Sequence, residues 1–330
     1  MEPDLTNVKT VVLMEGLSSL EHFSMEGEEP RRILEDINLT MGRAESWGIF
    51  GRSVFEIKLL LEIMANIKPY HGGRAVLVER GMMRNKRVIL EHLFYIGSPT
   101  MLYDNMNVLE YLMFATGRQG LEPLYRQEQL FQRLIESGLG HISLTSIGEL
   151  AEEEKAVIIL LVAAYSDSVM IVFNFPEYDF DEVLSGAIGK ISELIRSMKK
   201  TLILGSRDCL LIEKACSHTA YVTEGKISYQ GTVEKLRLKY DRILLTVQDS
   251  GNREIMEALA PLLPRHNLSI IDDSLLISDR GEIDTDPLYI YKKITDLGFA
   301  PQQITVNSKT VQNAYEEIDR RYDLQKQLFQ

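Results

Sequence analysis

The chain has 330 residues, 45% hydrophobic and 25% charged, which is the balance of an ordinary globular protein with room for one large domain and a small one. A formal net charge of −12, with a pI near 5.1, repels nucleic acid and anionic lipid at long range, so no nucleic-acid partner is expected. Cys209 and Cys216 are too few for a disulfide framework and have no His neighbours for a zinc site, so two reduced thiols are expected.

In chain order, Met1-Glu-Pro-Asp-Leu lacks the basic and apolar regions of a secretory signal. Val11 to Met14 reads as a short strand, Ile33 to Met41 as a second, and Trp47 to Phe50 as a third. A turn at Gly51 leads into an apolar helix, Phe55 to Asn66, closed by Lys68-Pro69. His71-Gly72-Gly73 precedes a strand over Arg74 to Glu79, and Asn107 to about Gly138 has helical patterning.

Glu152-Glu153-Glu154 opens a helix through Ala164, where acidic groups suit the positive end of the helix dipole. Ser166-Asp167-Ser168 separates it from an apolar strand, Val169 to Phe173, and neither run is long enough to cross a bilayer. Membrane contact is therefore expected only through a partner. A helix over Asp181 to Lys199, a strand over Thr201 to Gly205 and a hairpin around Glu224-Gly225 follow. The alternation of strand and helix indicates an α/β domain with a parallel core. After about Tyr240 the order becomes strand, helix, strand, strand, helix, strand, helix, a small βαββαβ-like α+β domain. The expected domains are 1–238 and 239–330.

Ile33-Leu34-Glu35-Asp36-Ile37-Asn38-Leu39, followed by Ala44 to Phe50 and Gly51, resembles the approach to the P-loop of ATP-binding-cassette (ABC) transporter ATPases, in register over most of the first 235 residues. The resemblance implies a P-loop NTPase-like nucleotide-binding domain, a mixed sheet with helices on both faces and a helical subdomain. A working P-loop, G-x-x-x-x-G-K-[ST], wraps phosphates in backbone N–H groups, neutralises them with Lys and holds Mg²⁺ with a hydroxyl. This chain has Gly51-Arg52-Ser53-Val54-Phe55-Glu56-Ile57-Lys58. The family's second glycine falls on Glu56, its lysine on Ile57 and its hydroxyl on Lys58. Lys58 sits about 100° around the helix from the lysine position. Gly48, Gly51, Arg52, Ser53 and Lys58 are the candidate residues of a weak nucleotide site, with Phe23 for adenine stacking.

The other family motifs are altered together. The Q-loop glutamine falls on Ser98, although the following Leu102 to Glu110 keeps the surface on which the family docks its membrane subunit. The signature L-S-G-G-Q falls on Leu150-Ala151-Glu152-Glu153-Glu154, and carboxylates there repel phosphate. The Mg²⁺-binding Asp and general-base Glu fall on Asn174 and Phe175, and the switch histidine falls on Arg207. Asp181 remains from the D-loop, and Ala220 to Thr232 matches the closing hairpin.

The resemblance thus implies a non-hydrolytic subunit with no catalytic residue, weak ATP binding at most and a poor Mg²⁺ site. It would pair with an active ABC subunit, as homodimer or heterodimer, beneath a permease at the inner face of the cell membrane. The C-terminal domain resembles the tail of drug- and bacteriocin-type exporter ATPases, which favours export. The alternatives are an active ATPase using Arg52, Lys58 and a partner's groups, and a soluble regulatory module without a permease.

Overall fold

The computed structural model describes residues 9–23, 31–78, 80–81, 92–100, 103–117, 122–239, 242–271, 273–279, 285–306 and 310–328. They form two compact units, Met1–Gly231 and Thr232–Gln330.

In the first unit, β1 (Thr10–Ser19) pairs antiparallel with β4 (Ile37–Gly42) and with β6 (Tyr70–Leu77), beside a small ladder of β2 (His22–Phe23) and β3 (Arg31–Arg32). The expected strand at Val11 to Met14 is thus longer. It bulges at Gly16, whose φ of 60° breaks the register and whose N–H donates to Asn38 Oδ1. The expected strand at Ile33 to Met41 begins only at Ile37, because Asp36 takes a positive φ and turns the chain.

β5 (Ser46–Gly51) is buried throughout and feeds α1 (Val54–Met64). β7 (Arg80–Gly81) follows β6, and β8 (Leu93–Ile96) is the edge of the second sheet. α2 (Val108–Ala115) starts in a capping box of Asn107 and Glu110. α3 (Pro123–Ser137) ends on Gly138 at φ 86°, a left-handed cap that favours glycine.

The chain continues through α4 (Glu152–Ala164), β9 (Met170–Asn174), α5 (Glu182–Ser197), β10 (Thr201–Gly205), α6 (Cys209–Ala215), β11 (His218–Thr223) and β12 (Lys226–Thr232). The second sheet has the order β12-β11-β5-β10-β9-β8, and β11, β5, β10, β9 and β8 run parallel. Its strands β9 and β10 are buried on both faces, as parallel strands covered by helices must be. One face carries Met170, Val172 and Ile203 into a core shared with α1 and the β1-β4-β6 sheet. The turn between β11 and β12 places Glu224 and Gly225 at φ 44° and 77°, the pairing that matches strand twist in a two-residue hairpin.

The second unit has its own core, built on Leu244, Leu245, Val247, Ile255, Leu275, Ile277, Ile290 and Ile294. α7 (Val233–Lys239) leads to β13 (Arg242–Gln248), α8 (Asn252–Leu259), β14 (His266–Ile271), β15 (Ser274–Asp279), α9 (Pro287–Asp296), β16 (Gln303–Val306) and α10 (Val311–Leu328). The antiparallel order β14-β15-β13-β16 gives the βαββαβ pattern a ferredoxin-like topology. The units divide ahead of the expected border at 238 because α7 packs on α10, burying Leu236, Val311 and Ala314.

Candidate functional site

The turn after β5 is where a phosphate cradle would form. A cradle needs several successive residues in a non-helical loop, with their N–H groups aimed at one centre. Instead the helix begins at Val54, so Val54, Phe55 and Glu56 form its first turn. Ser53 caps that turn: its Oγ accepts from Glu56 N–H at 3.3 Å, and its carbonyl accepts from Ile57 N–H at 3.2 Å. None of the residues in this turn is the glycine that would keep it open.

Ile57 is fully buried and belongs to the core between α1 and the two sheets. A Cβ built on Gly205 would lie 3.0 Å from its Cγ2, so α1 rests directly on β10 there. The lysine position is therefore a packing position. Lys58, one residue on, points elsewhere: its ammonium holds Glu177 Oε1 at 2.8 Å, and that hydrogen bond is the main cause raising the ammonium above its usual pKa. Gly48 and Gly51 serve close packing. A Cβ on Gly48 would meet Ile212 at 2.4 Å, and one on Gly51 would meet the Val222 carbonyl oxygen at 2.6 Å.

Asn174 is fully buried at the end of β9. Its Nδ2 donates to Tyr95 Oη at 2.9 Å and to the Lys58 carbonyl at 3.3 Å, while Oδ1 is buried and has no hydrogen-bond partner among the described residues. Phe175 is 1% exposed, with its ring 4.8 Å from Phe173 and 5.0 Å from Tyr178. An aromatic stack therefore surrounds the position expected from the sequence for a general base. An apolar ring neither takes a proton nor orients water.

A cavity of about 300 Å³ lies beside the α1 turn, lined by Arg31, Ile33, Arg52, Ser53, Glu56 and Glu224 among others. Arg31 reaches Glu224 at 3.4 Å. Burial pushes the Glu56 carboxyl above its usual range, against a hydrogen bond from the Gly225 backbone and the charge of Arg31. Sequence reasoning placed Glu56 only where the family has its second glycine, whereas its link to the β11–β12 turn needs the tertiary structure.

The remaining candidates are scattered over the first unit. Ser98 is exposed and hydrogen-bonded to Thr100 at 2.7 Å. Glu152 is exposed and lies 3.3 Å from Lys155, while Glu154 accepts from Ala151 N–H at 2.8 Å and closes the start of α4. Arg207 is exposed after β10, and Asp181 caps α5 through Leu184 N–H at 2.8 Å. Phe23 lies on β2 opposite Arg31, and its side chain is outside the described residues. Leu102 of the expected docking surface is also outside them.

These groups do not fit a magnesium–triphosphate. The turn after β5 is helical, Ile57 is core, and Asn174 is a buried amide bonded to a phenol. What the arrangement does chemically is hold α1, β9 and β10 together.

No family model matches the chain. A curated relative, an uncharacterized ABC transporter ATP-binding protein from Nostoc sp. (strain PCC 7120), is 24% identical over 211 residues, covering 62% of this chain and 61% of the relative. The chain thus matches about three fifths of that relative's length. Among solved structures, cbiO1 from Clostridium perfringens, part of the ABC transporter complex cbiONQ, aligns with a TM-score of 0.54 at 15% identity, over 78% of this chain and 97% of its own. An ATP-binding subunit of an ABC transporter aligns at 0.52 and 16%, over 69% and 92%. The ATP-binding cassette MJ0796, in a dimeric post-hydrolysis state bound to ADP and Pi, aligns at 0.51 and 15%, over 67% and 98%. The larger unit thus has the fold of the ATP-binding cassettes of ABC transporters, and the sequence likeness to one such protein points the same way.

Proposed function

We propose that the chain is a non-hydrolytic ATP-binding-type subunit of an ABC transporter, which pairs with a second cassette subunit and couples to a membrane permease at the inner face of the cell membrane. The observation that carries the reading is Ile57, a fully buried core residue where the family has its phosphate-binding lysine. Phe175 in its aromatic stack supports the same conclusion. Loss of a general base alone slows a reaction by about 10²–10⁴. ATP affinity is then weak and Mg²⁺ is poorly held.

The cassette scaffold supports pairing and a permease. The small C-terminal unit, similar to exporter tails, supports export. Among the described residues no helix is long and apolar enough to cross a membrane, in keeping with a subunit that reaches the bilayer through others. Lys58, the cation that a relocated phosphate contact would use, is bound to Glu177.

Titration calorimetry of the full chain with Mg-ATP tests the site. The expected Kd is above about 1 mM, a binding free energy weaker than about −4 kcal/mol. Tight binding that Lys58→Ala weakens would overturn the reading in favour of an active ATPase. Co-purification from native membranes tests the transporter role, with a permease and a second cassette subunit expected. Recovery of neither favours a soluble module.

A further inference from the structure

A cavity of about 460 Å³ opens between α3, α4 and α5. That volume lies in the range of sites that hold small organic molecules. Its floor is apolar, made by buried Leu161 of α4 and by buried Ile191 and half-buried Leu194 of α5. Two couples of opposite charge line it, Arg133 with Glu136 from α3 and Lys190 with Glu193 from α5. The members of each couple are three residues apart on a helix, which sets their Cβ atoms about 5–6 Å apart. The two serines at the cavity donate their hydroxyls back to their own helices, Ser137 to the Arg133 carbonyl at 2.8 Å and Ser197 to the Leu194 carbonyl at 2.7 Å. Polar recognition therefore falls to the four charged groups.

The couples differ in how they are held. Arg133 reaches Glu136 at 2.6 Å and also hydrogen-bonds the Tyr165 phenol just after α4. Lys190 and Glu193 are exposed, and their side chains make no ion pair or hydrogen bond among the described residues. A simple anion in the cavity would meet Glu136 and Glu193 beside its cations, and a simple cation would meet Arg133 and Lys190. A molecule carrying both charges side by side satisfies each couple, so the arrangement selects against singly charged ligands.

We propose that this cavity binds a small zwitterion with an apolar side chain, a free α-amino acid or a dipeptide. The ligand carboxylate accepts from the Lys190 ammonium, and the ligand ammonium donates to the Glu193 carboxylate. Arg133 and Glu136 face the same charges from α3, and the ligand side chain lies on Leu161, Ile191 and Leu194. The site goes beyond the transporter reading and does not depend on it, because no lining residue belongs to the β5–α1 turn, to β9 or to the start of α4. A ligand held from both helices ties α3 to α5, so occupancy stabilises the larger unit in proportion to ligand concentration over Kd. The charged groups are open to solvent, so the affinity is modest and weakens with salt.

Titration calorimetry of the full chain with L-leucine and with L-leucyl-L-leucine tests the proposal. At least one should bind with a Kd of about 0.1–1 mM, as suits ligands this small. Isocaproate lacks the ammonium of leucine and isoamylamine lacks its carboxylate, and each should bind about tenfold or more weakly than leucine. Lys190→Gln and Glu193→Gln should each weaken zwitterion binding about tenfold, while Lys190→Arg keeps the charge and most of the affinity. These substitutions fall on exposed residues, and melting temperatures near that of wild type confirm folding. Absence of heat and of any melting shift with both zwitterions at about 10 mM overturns the proposal. So does binding that neither glutamine variant weakens. Isocaproate or isoamylamine binding as tightly as leucine overturns it too, since one charge or the apolar floor would then suffice. These outcomes leave the non-hydrolytic reading untouched, because the Mg-ATP titration decides that separately.

Discussion

Restoring the family's lysine at position 57 tests whether that position is site or core. Ile57→Lys places an ammonium among α1, β10 and the β1-β4-β6 sheet, where it has no carboxylate partner and must either deprotonate or distort the packing. The expected outcome is a loss of about 3 kcal/mol or more in urea unfolding, with no gain in ATP affinity. Glu56 gives a second test at the same scale. Its folded-state pKa is raised chiefly by burial, so its contribution to stability is greatest when it is protonated and is lost as pH rises through the raised value. Glu56→Gln keeps an acceptor for the Gly225 N–H without the charge. The variant should therefore melt higher than wild type near pH 7, and the difference should close as pH falls from the raised value to the ordinary carboxylate range, read as paired thermal melts across pH. Position 56 was legible from the motif as the place of the family's second glycine. Its raised pKa was not, because that depends on a turn some 170 residues away in the chain.

At the scale of elements, the β5–α1 junction is held by a cap and a close approach. Ser53→Ala should cost about 1 kcal/mol and Ser53→Gly only a few tenths, since glycine is also an accepted capping residue. Gly51→Ala should cost more, about 1–3 kcal/mol, because its Cβ would press on the Val222 backbone oxygen at 2.6 Å, which cannot rotate away. Chemical denaturation of the three variants checks the ranking. The elements themselves were largely readable. The five residues Thr201–Gly205 form a strand where the apolar run between a helix and a glycine indicated one, and Glu224-Gly225 makes the turn its type requires. α6 was missed: it is a seven-residue helix whose signal, Asp208 capping Leu210 N–H at 2.8 Å, is short and hidden beside the Ser206-Arg207-Asp208 motif. Its place is fixed by packing, with Ile212 set against Gly48 of β5.

At the scale of the whole molecule, the two units have separate cores. Residues 232–330 expressed alone should fold and unfold cooperatively in urea, with a slope of about 1–2 kcal/mol/M. A fragment beginning at 239 should be markedly less stable, because it lacks the fully buried Leu236 and exposes Val311 and Ala314 of α10. Circular dichroism of both fragments decides where the border lies.

Sequence alone determined the α/β plan of the first unit and the βαββαβ order of the second, since apolar periodicity and turn chemistry are local and survive without partners. Spacing along the chain also supplied the expectation that Ile57, Asn174, Phe175 and Arg207 fall at the family's motif positions. Tertiary structure decided what those residues do. That Ile57 is core, that Lys58 is bound to Glu177, and that Asn174 joins Tyr95 to the α1 backbone are facts of contact between segments as far as 119 residues apart. Burial and charge pairing arise only when such segments meet, and no local pattern encodes which ones will.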